Sequence, residues 1–488
     1  MTPGALNAII PMACVAAAGI AAMVAEAFRE PGERMPIAGL GIVGLVGAAI
    51  SAVVLWNHNT SSFGLVSADN FGLFVTMILV LVGLLTLGIS GPTIERERLP
   101  AGEYYALTLF ALAGMMLMAT ATDLLVIFLA LEVLSLAVYV LTGLRRESAV
   151  ASEAAFKYFL LGAFSSAFFL YGIAFTYGVT GSTHLDRIGS VLAAQSLAPT
   201  AMQRLAAGLL LVGFAFKVSA VPFHMWTPDA YEGAPSSVTG FMSTGVKAAA
   251  FAAFARVFLS AFDPMRADWG AVLWVVAAAT MVLGTVVGVV QANVKRMLAY
   301  SSIAHGGYLL VALLSANDLG KGAVLFYLLT YAVTNLGAFG VIGLLEAADR
   351  TDRSAGTVVA NDQVRDYAGL WYSHPVLAGL MTVFLLSLGG FPPMAGFIAK
   401  WYVFSAAMKS GNSGLAIIGV LTSVVSVFFY LRVVVMMYMT EGERPTVFPA
   451  VPRMAGLALV VSAILIFYLG ILPARVLDWA AQSIGTIF

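Results

Sequence analysis

LLVIFLALEVLSLAVYVL, residues 124–141, decides how this chain is read. The run is apolar over a length that crosses a bilayer as a helix, and Glu132 sits near its middle. A carboxylate at that depth costs roughly 2.5–3.5 kcal/mol on insertion scales, so it needs a partner or a task. Lys217, Lys247 and Lys400 lie equally deep in other apolar runs. One acid and three bases placed this way read as a route for protons rather than as anchors.

The composition agrees with a chain held almost wholly in lipid. Its 488 residues are 60% hydrophobic and 10% charged, against about 25% charged in soluble domains. The formal net charge is zero, which gives nucleic acid no electrostatic foothold. The single cysteine, Cys14, has no internal partner and reads as a small residue of an apolar helix. No lysine or arginine precedes the first apolar stretch, which favours a retained first helix over a cleaved signal peptide. Metal-ligand spacing, a phosphate-cradling glycine loop and a nucleophile elbow are all missing from the sequence.

Apolar stretches predict spans near 5–25, 37–56, 70–90, 104–121, 123–144, 156–179, 204–224, 236–261, 270–290, 297–316, 322–346, 375–407, 413–438 and 454–472, fourteen in all. The turn at Thr120–Asp123 is very short, so the fourth and fifth are also readable as one miscounted unit. An even count puts both termini on one side. With them outside, thirteen basic residues, from Arg29 to Arg453, fall in inside connections and six, from Arg187 to Arg475, in outside ones. The positive-inside rule then makes both termini periplasmic in a bacterial inner membrane. Arg256 and Arg432, near helix ends, are expected to snorkel. The polar connection at about 347–374 carries both signs of charge and is assigned no chemistry.

Two spans are predicted to break. In the seventh, LLLVGFAFKVSAVPFHMW, Pro222 follows Lys217 by five residues and removes a helical hydrogen bond. In the twelfth, Gly389, Gly390, Pro392, Pro393 and Gly396 are incompatible with a continuous helix. Broken helices at membrane depth survive only where protein or a cavity satisfies the freed backbone, and a matched pair points to a transporter with internal repeats. Five helices in each half put a break in the fourth of each, and an odd number makes the second unit inverted. The other reading is a pair of packing kinks. The expected organisation is three helices over 1–103, a first five-helix repeat over 104–262, a second over 263–440, and a last helix within 441–488.

LALEVLSLAVYVL (129–141), EAAFKYFLLGAFSSAFFLYG (153–172), FKVSAVPFHMWTPDAYEGAP (216–235), VKRMLAYSSIAHGGY (294–308) and GGFPPMAGFIAKWYVF (389–404) together resemble the antiporter-like membrane subunits of respiratory complex I. The resemblance covers essentially the whole chain. Multisubunit cation/proton antiporters are similar but more distant. The chain runs fifteen residues past Pro473, too few for the long lateral helix of the largest sister subunit, and it carries Lys400 where another sister is expected to carry glutamate. The resemblance implies fourteen helices with two inverted five-helix repeats, a place among sister antiporter-like and small membrane subunits, and proton translocation. It also implies no redox centre in this chain, since NADH, flavin (FMN), iron–sulfur clusters and quinone belong to other subunits.

A buried lysine exchanges its proton when a counter-charge comes and goes, because burial and a nearby carboxylate act on it in opposite directions. Glu132 is therefore expected to pair with Lys217 and to switch it, with Lys247 as central relay and Lys400 as exit-side site. His305 reads either as a bridge from Lys247 to Lys400 or as a core histidine bonded to a neighbouring helix. His224 either lines the input route or satisfies backbone freed by the first break. Lys157 either assists proton input or pairs locally with Glu153, four residues before it. Asp229 and Glu232 read as capping or interface groups beside that break. Two other classes compete: a subunit of a cation/proton antiporter, and a scaffold whose buried charges only pair helices together. A free-standing solute transporter is disfavoured by the lack of a further polar pocket.

Overall fold

The computed structural model describes residues 6–29, 37–194, 198–315, 317–346, 362–441 and 451–487. Arg34, Arg350, Arg353 and Arg444 of the orientation count, and most of the polar connection at 347–374, lie outside them. Among the described residues twelve continuous helices are long and apolar enough to cross a membrane. They are α1 (Ile10–Ala27), α2 (Ile37–Leu55), α3 (Asn70–Glu97), α4 (Ala101–Thr120), α5 (Leu124–Thr142), α6 (Ala149–Thr180), α8 (Ser236–Ala261), α9 (Arg266–Val290), α10 (Val294–Leu314), α11 (Asp318–Leu345), α13 (Ser413–Met439) and α14 (Arg453–Ile471). The two spans missing from that series are the two predicted to break. One divides into α7a (Ala201–Lys217) and α7b (Trp226–Gly233), the other into α12a (Pro375–Gly389) and α12b (Ala395–Lys409). Twelve and two make the fourteen expected.

The abrupt turn between α4 and α5 is a true helix boundary. Ala121 is extended, and Asp123 caps α5 by accepting the amide of Leu125 at 2.8 Å, so the two spans stay separate. The corresponding helices of the two halves pack alike. α4 lies along α5 as α9 lies along α10, and α6 packs on α7a as α11 packs on α12a and α12b. On the α4–α5 side, a two-stranded hairpin, β1 (Thr60–Ser62) with β2 (Val66–Ala68), and a short helix at Leu185–Ala194 complete the surface.

α8 runs through the middle of the molecule and is buried along its whole length. It is not a regular α-helix: π turns occupy Met242–Val246 and Val257–Ala261. The first turn ends directly at Lys247, and such bulges re-aim the residue that follows. Close helix contact is secured by glycine where backbones meet. A Cβ at Gly284 would lie 2.6 Å from the amide nitrogen of Ala304, and one at Gly307 would lie 2.5 Å from the Met281 side chain, so α9 and α10 touch along their length.

Arg256 does not snorkel. It is buried, and its two guanidinium nitrogens donate to both carboxylate oxygens of Asp69 at 2.7 and 2.9 Å. Its Nε donates to the Ala119 carbonyl at 3.2 Å. This two-point pairing with a carboxylate holds the guanidinium inside the protein rather than at the interface. Arg432 lies about two turns inside α13 and donates to the Val289 carbonyl at 3.1 Å and to that of Gln291, closing the end of α9.

The face that the charge count places inside carries a buried ionic cluster. Arg145 donates twice to Glu97 at 2.6 Å and once to Glu346 at 3.3 Å. Lys295, fully buried, donates to Glu346 at 3.1 Å. Burial opposes the ionisation of Glu346, but Lys295 and Arg145 outweigh it and hold the carboxyl down to about 2. Asp362 stands beside this group. Burial lifts its carboxyl to about 6, Lys295 opposes the rise, and Glu346 adds to it.

Candidate proton-relay site

Both breaks interrupt the regular helical pairing, and side chains meet the backbone groups there. At the first, the indole of Trp226 donates to Phe216 O at 3.0 Å, and the Val221 amide donates to Thr280 Oγ1 at 2.9 Å. At the second, Lys400 Nζ itself donates to Leu388 O at 2.8 Å and Gly389 O at 3.1 Å. The lysine and the break therefore belong together: the unwound turn supplies acceptors that a continuous helix would have used internally. Each break also contains a cis peptide bond, at Val221–Pro222 and Pro392–Pro393.

Lys217 is the last residue of α7a and is buried. Its Nζ donates to Ser135 Oγ at 2.7 Å. It lies 5.4, 5.7 and 5.9 Å from the ring centres of Tyr139, Tyr158 and Phe216, a cation–π enclosure. Glu132 is on the same face of α5 as Ser135, but its carboxylate accepts from Ser166 Oγ of α6 at 2.5 Å. The expected direct Glu132–Lys217 contact is not made in this conformation: each charge has a separate hydroxyl partner.

Lys247 Nζ donates to the carbonyl and the hydroxyl of Ser302, the latter at 2.6 Å. Ser302 Oγ lies 3.2 Å from Tyr231 OH, which ties this site to α7b. Gly306 separates the two lysine sites. A Cβ there would stand 3.0 Å from Val218 O and 3.7 Å from Lys247 Nζ, so the bare backbone is what lets the first break approach the second lysine.

His305 matches the reading of a core histidine bonded to neighbouring helices, and its ring bonds neither Lys247 nor Lys400. Its ring nitrogens meet Tyr327 OH at 2.7 Å and Tyr430 OH at 3.3 Å on neighbouring helices. It also lines a small cavity of about 10 Å³ with Thr330, Tyr331, Thr334, Ser387 and Leu388, about the space of one water molecule. That cavity joins the histidine to the second break. Beyond it, Lys400 completes its set with Ser423 Oγ at 2.9 Å and lies 5.3 Å from the Tyr308 ring centre.

Lys157 and His224 bond none of the other relay candidates. Lys157 is exposed, bonded to Glu153 at 2.7 Å and to Asp229 at 2.9 Å. Asp229 and Glu232 both accept from Arg296, at 2.8 and 2.7 Å, so these residues form a rim network at the mouth of the first break. His224 is half-buried in the break. Its carbonyl accepts the Thr227 amide at 3.0 Å, and its ring bonds none of the relay residues. Sequence reasoning missed the hydroxyl partners Ser135, Ser166, Ser302, Tyr430 and Ser423. The i, i+3 spacing of Glu132 and Ser135, and of Ser302 and His305, was the available signal.

A family model described as NADH:quinone oxidoreductase/Mrp antiporter, TM matches residues 121–426, which takes in the span from the Glu132 helix to the Lys400 site. NADH-quinone oxidoreductase subunit N of Trichlorobacter lovleyi is 46% identical over 483 residues, covering 99% of this chain and 97% of that protein. This chain belongs to the NADH-quinone oxidoreductase subunit N family. Another subunit N relative, from Chloroflexus aggregans, is 40% identical over 99% of this chain and 98% of its own length. A chain of respiratory complex I from Thermus thermophilus with bound aureothin superposes with a TM-score of 0.81 at 35% identity, covering 97% of this chain and all of that one. A chain of an Mrp complex from a Dietzia species matches with a TM-score of 0.81 at 22% identity, a likeness of fold alone. As a subunit N family member, the chain is an antiporter-like, multi-pass membrane subunit.

Proposed function

We propose that this chain is the subunit N of a bacterial NADH-quinone oxidoreductase and carries protons across the inner membrane. Electrons pass from NADH to quinone in other subunits of the complex. The line Glu132, Lys217, Lys247, His305 and Lys400 forms the route, with residues 104–262 and 263–440 as its two half-channels and both termini periplasmic.

One observation carries this reading. Among the described residues, no carboxylate forms an ion pair with Lys217, Lys247 or Lys400, although all three are buried. Charges that only glue helices together are paired, as Arg256 is with Asp69 and Lys295 with Glu346, because a lone buried charge is costly. The three lysines rest on neutral oxygens instead. Neutral acceptors let a site lose and regain a proton without leaving an uncompensated carboxylate behind.

Glu132 is the charge that switches the first of them. It is only partly buried and stands between Leu129, Val133 and Leu136, which are exposed on the outer face of α5. A carboxylate on such a face at mid-membrane depth calls for protein rather than lipid beside it. That face is where a neighbouring membrane subunit acts on Glu132.

The test is the assembled complex carrying Lys247→Met, reconstituted in vesicles. NADH oxidation continues while proton uptake per NADH falls sharply. Normal uptake contradicts the route, and uptake that tracks sodium rather than proton supply supports the antiporter reading instead.

A further inference from the structure

The Glu132–Lys217 pair is apart in this structure, and each member has a partner suited to its sign. Ser135 Oγ donates its own hydrogen to the Leu131 carbonyl, the residue four back on α5. With its proton committed there, the oxygen presents only lone pairs. It is thus an acceptor, fit for the Lys217 ammonium at 2.7 Å and unfit for a carboxylate. Ser166 has no such back-bond, and its hydroxyl donates to Glu132 Oε1. It is a donor, fit for a carboxylate.

A second observation concerns the place the carboxylate would take when the pair closes. Tyr139 and Tyr158 flank the Lys217 ammonium, and their hydroxyls are both buried with no hydrogen-bond partner. Such hydroxyls are uncommon in folded proteins. A carboxylate brought up to Lys217 supplies the acceptor both lack. Tyr139 is held in this position by Gly162 of α6, where an added Cβ would fall 1.9 Å from its hydroxyl oxygen.

We infer that Ser135 and Ser166 are the resting seats of a two-position ion pair, and that Tyr139 and Tyr158 receive the carboxylate when it leaves Ser166 for Lys217. The two serines are positioning residues and carry no proton across the membrane. They stabilise the separated state, in which Lys217 is free to pass its proton toward Lys247. Ser135 is one turn along the same face of α5 from Glu132, so the movement is one of side chains, over about 5–6 Å. This inference rests on the relay reading above.

The experiment uses the intact complex with Ser166→Ala, Ser135→Ala, Ser166→Thr and Glu132→Gln. A hydrogen bond to a charged group is lost in either alanine variant, which shifts the balance toward the closed pair by about tenfold or more. Cryo-electron microscopy of Ser166→Ala and Ser135→Ala is expected to show Glu132 within ion-pair distance of Lys217. Proton uptake per NADH falls several-fold in both, and Ser166→Thr restores the separated pair and normal uptake. Ser135→Ala provides the same readout if Ser166→Ala assembles poorly. If both alanine variants keep the charges apart and pump normally, the inference is wrong. If that happens while Glu132→Gln stops pumping, the relay reading stands and only the serine seats fall. If Glu132→Gln itself pumps normally, the relay reading is what fails.

Discussion

Gly396 presses against Ser387 across the second break: a Cβ on Gly396 would lie 1.8 Å from the Ser387 carbonyl oxygen and 2.8 Å from its carbon. The neighbour is backbone, which has no rotamer to yield. Lys400 follows Gly396 by one turn of α12b and reaches back to the carbonyls of Leu388 and Gly389, immediately after Ser387. Gly396→Ala therefore forces α12b away from α12a and takes Lys400 off its acceptors. We expect a loss of about 1–3 kcal/mol of stability from overpacking, seen as a lower melting temperature of the purified complex. Proton uptake per NADH should fall in the same preparation. Normal melting with normal uptake would show that the close approach is not needed.

The buried Arg256–Asp69 pair makes a different prediction. Removing one partner leaves the other charge uncompensated, at roughly 3–5 kcal/mol. Arg256→Met should reduce the amount of assembled complex, and Asp69→Asn added to it should recover much of the loss. Proton uptake per NADH in the complexes that do assemble should be unchanged, because the pair bonds none of the relay residues. Equal damage in single and double variants would contradict the pairing account.

Asp362 gives a pH dependence with a definite sign. Its carboxyl is raised by burial from 3.8 to about 6, so the folded chain holds this proton more tightly than the unfolded one. Its contribution to stability is favourable at low pH, falls as pH rises from about 3.8 through about 6, and is flat above that. Asp362→Asn removes the dependence. The segment it belongs to is tied to the α9–α10 turn by Val294 N to Asp362 O at 2.6 Å and Val364 N to Ala292 O at 2.8 Å. Amide exchange at Val294 and Val364, compared between parent and variant at each pH, should show the variant better protected above pH 6. The difference should shrink toward about pH 4. A gain largest at low pH would reverse the sign and refute the account.

Span positions were legible because they depend on length and apolarity, which are local: α8 was expected at 236–261 and is found at Ser236–Ala261. The breaks were legible because Pro222 and the Gly389–Gly396 cluster act on their own backbone. Pairings between helices were not. Helices that are apolar all round give no sign of how they are rotated, so Arg256 looked free to snorkel until α3 placed Asp69 against it. Lys295, just before the span expected from 297, is buried because Glu346 and the Ala234 carbonyl close around it. At the site, the four charged residues stood out because charge at that depth is rare. The serines and tyrosines that hold them did not, since hydroxyls are common in membrane helices and only geometry separates a partner from a packing residue.

The central claim is that Glu132 governs proton movement rather than assembly, and Glu132→Gln tests it most directly. The substitution keeps the shape and the hydrogen bond to Ser166 while removing the charge. The measurement is proton uptake per NADH oxidised by the assembled variant complex in sealed vesicles, with assembly checked on the same sample. The account predicts normal assembly and sharply reduced uptake. An assembled Glu132→Gln complex that pumps as the parent does would contradict it.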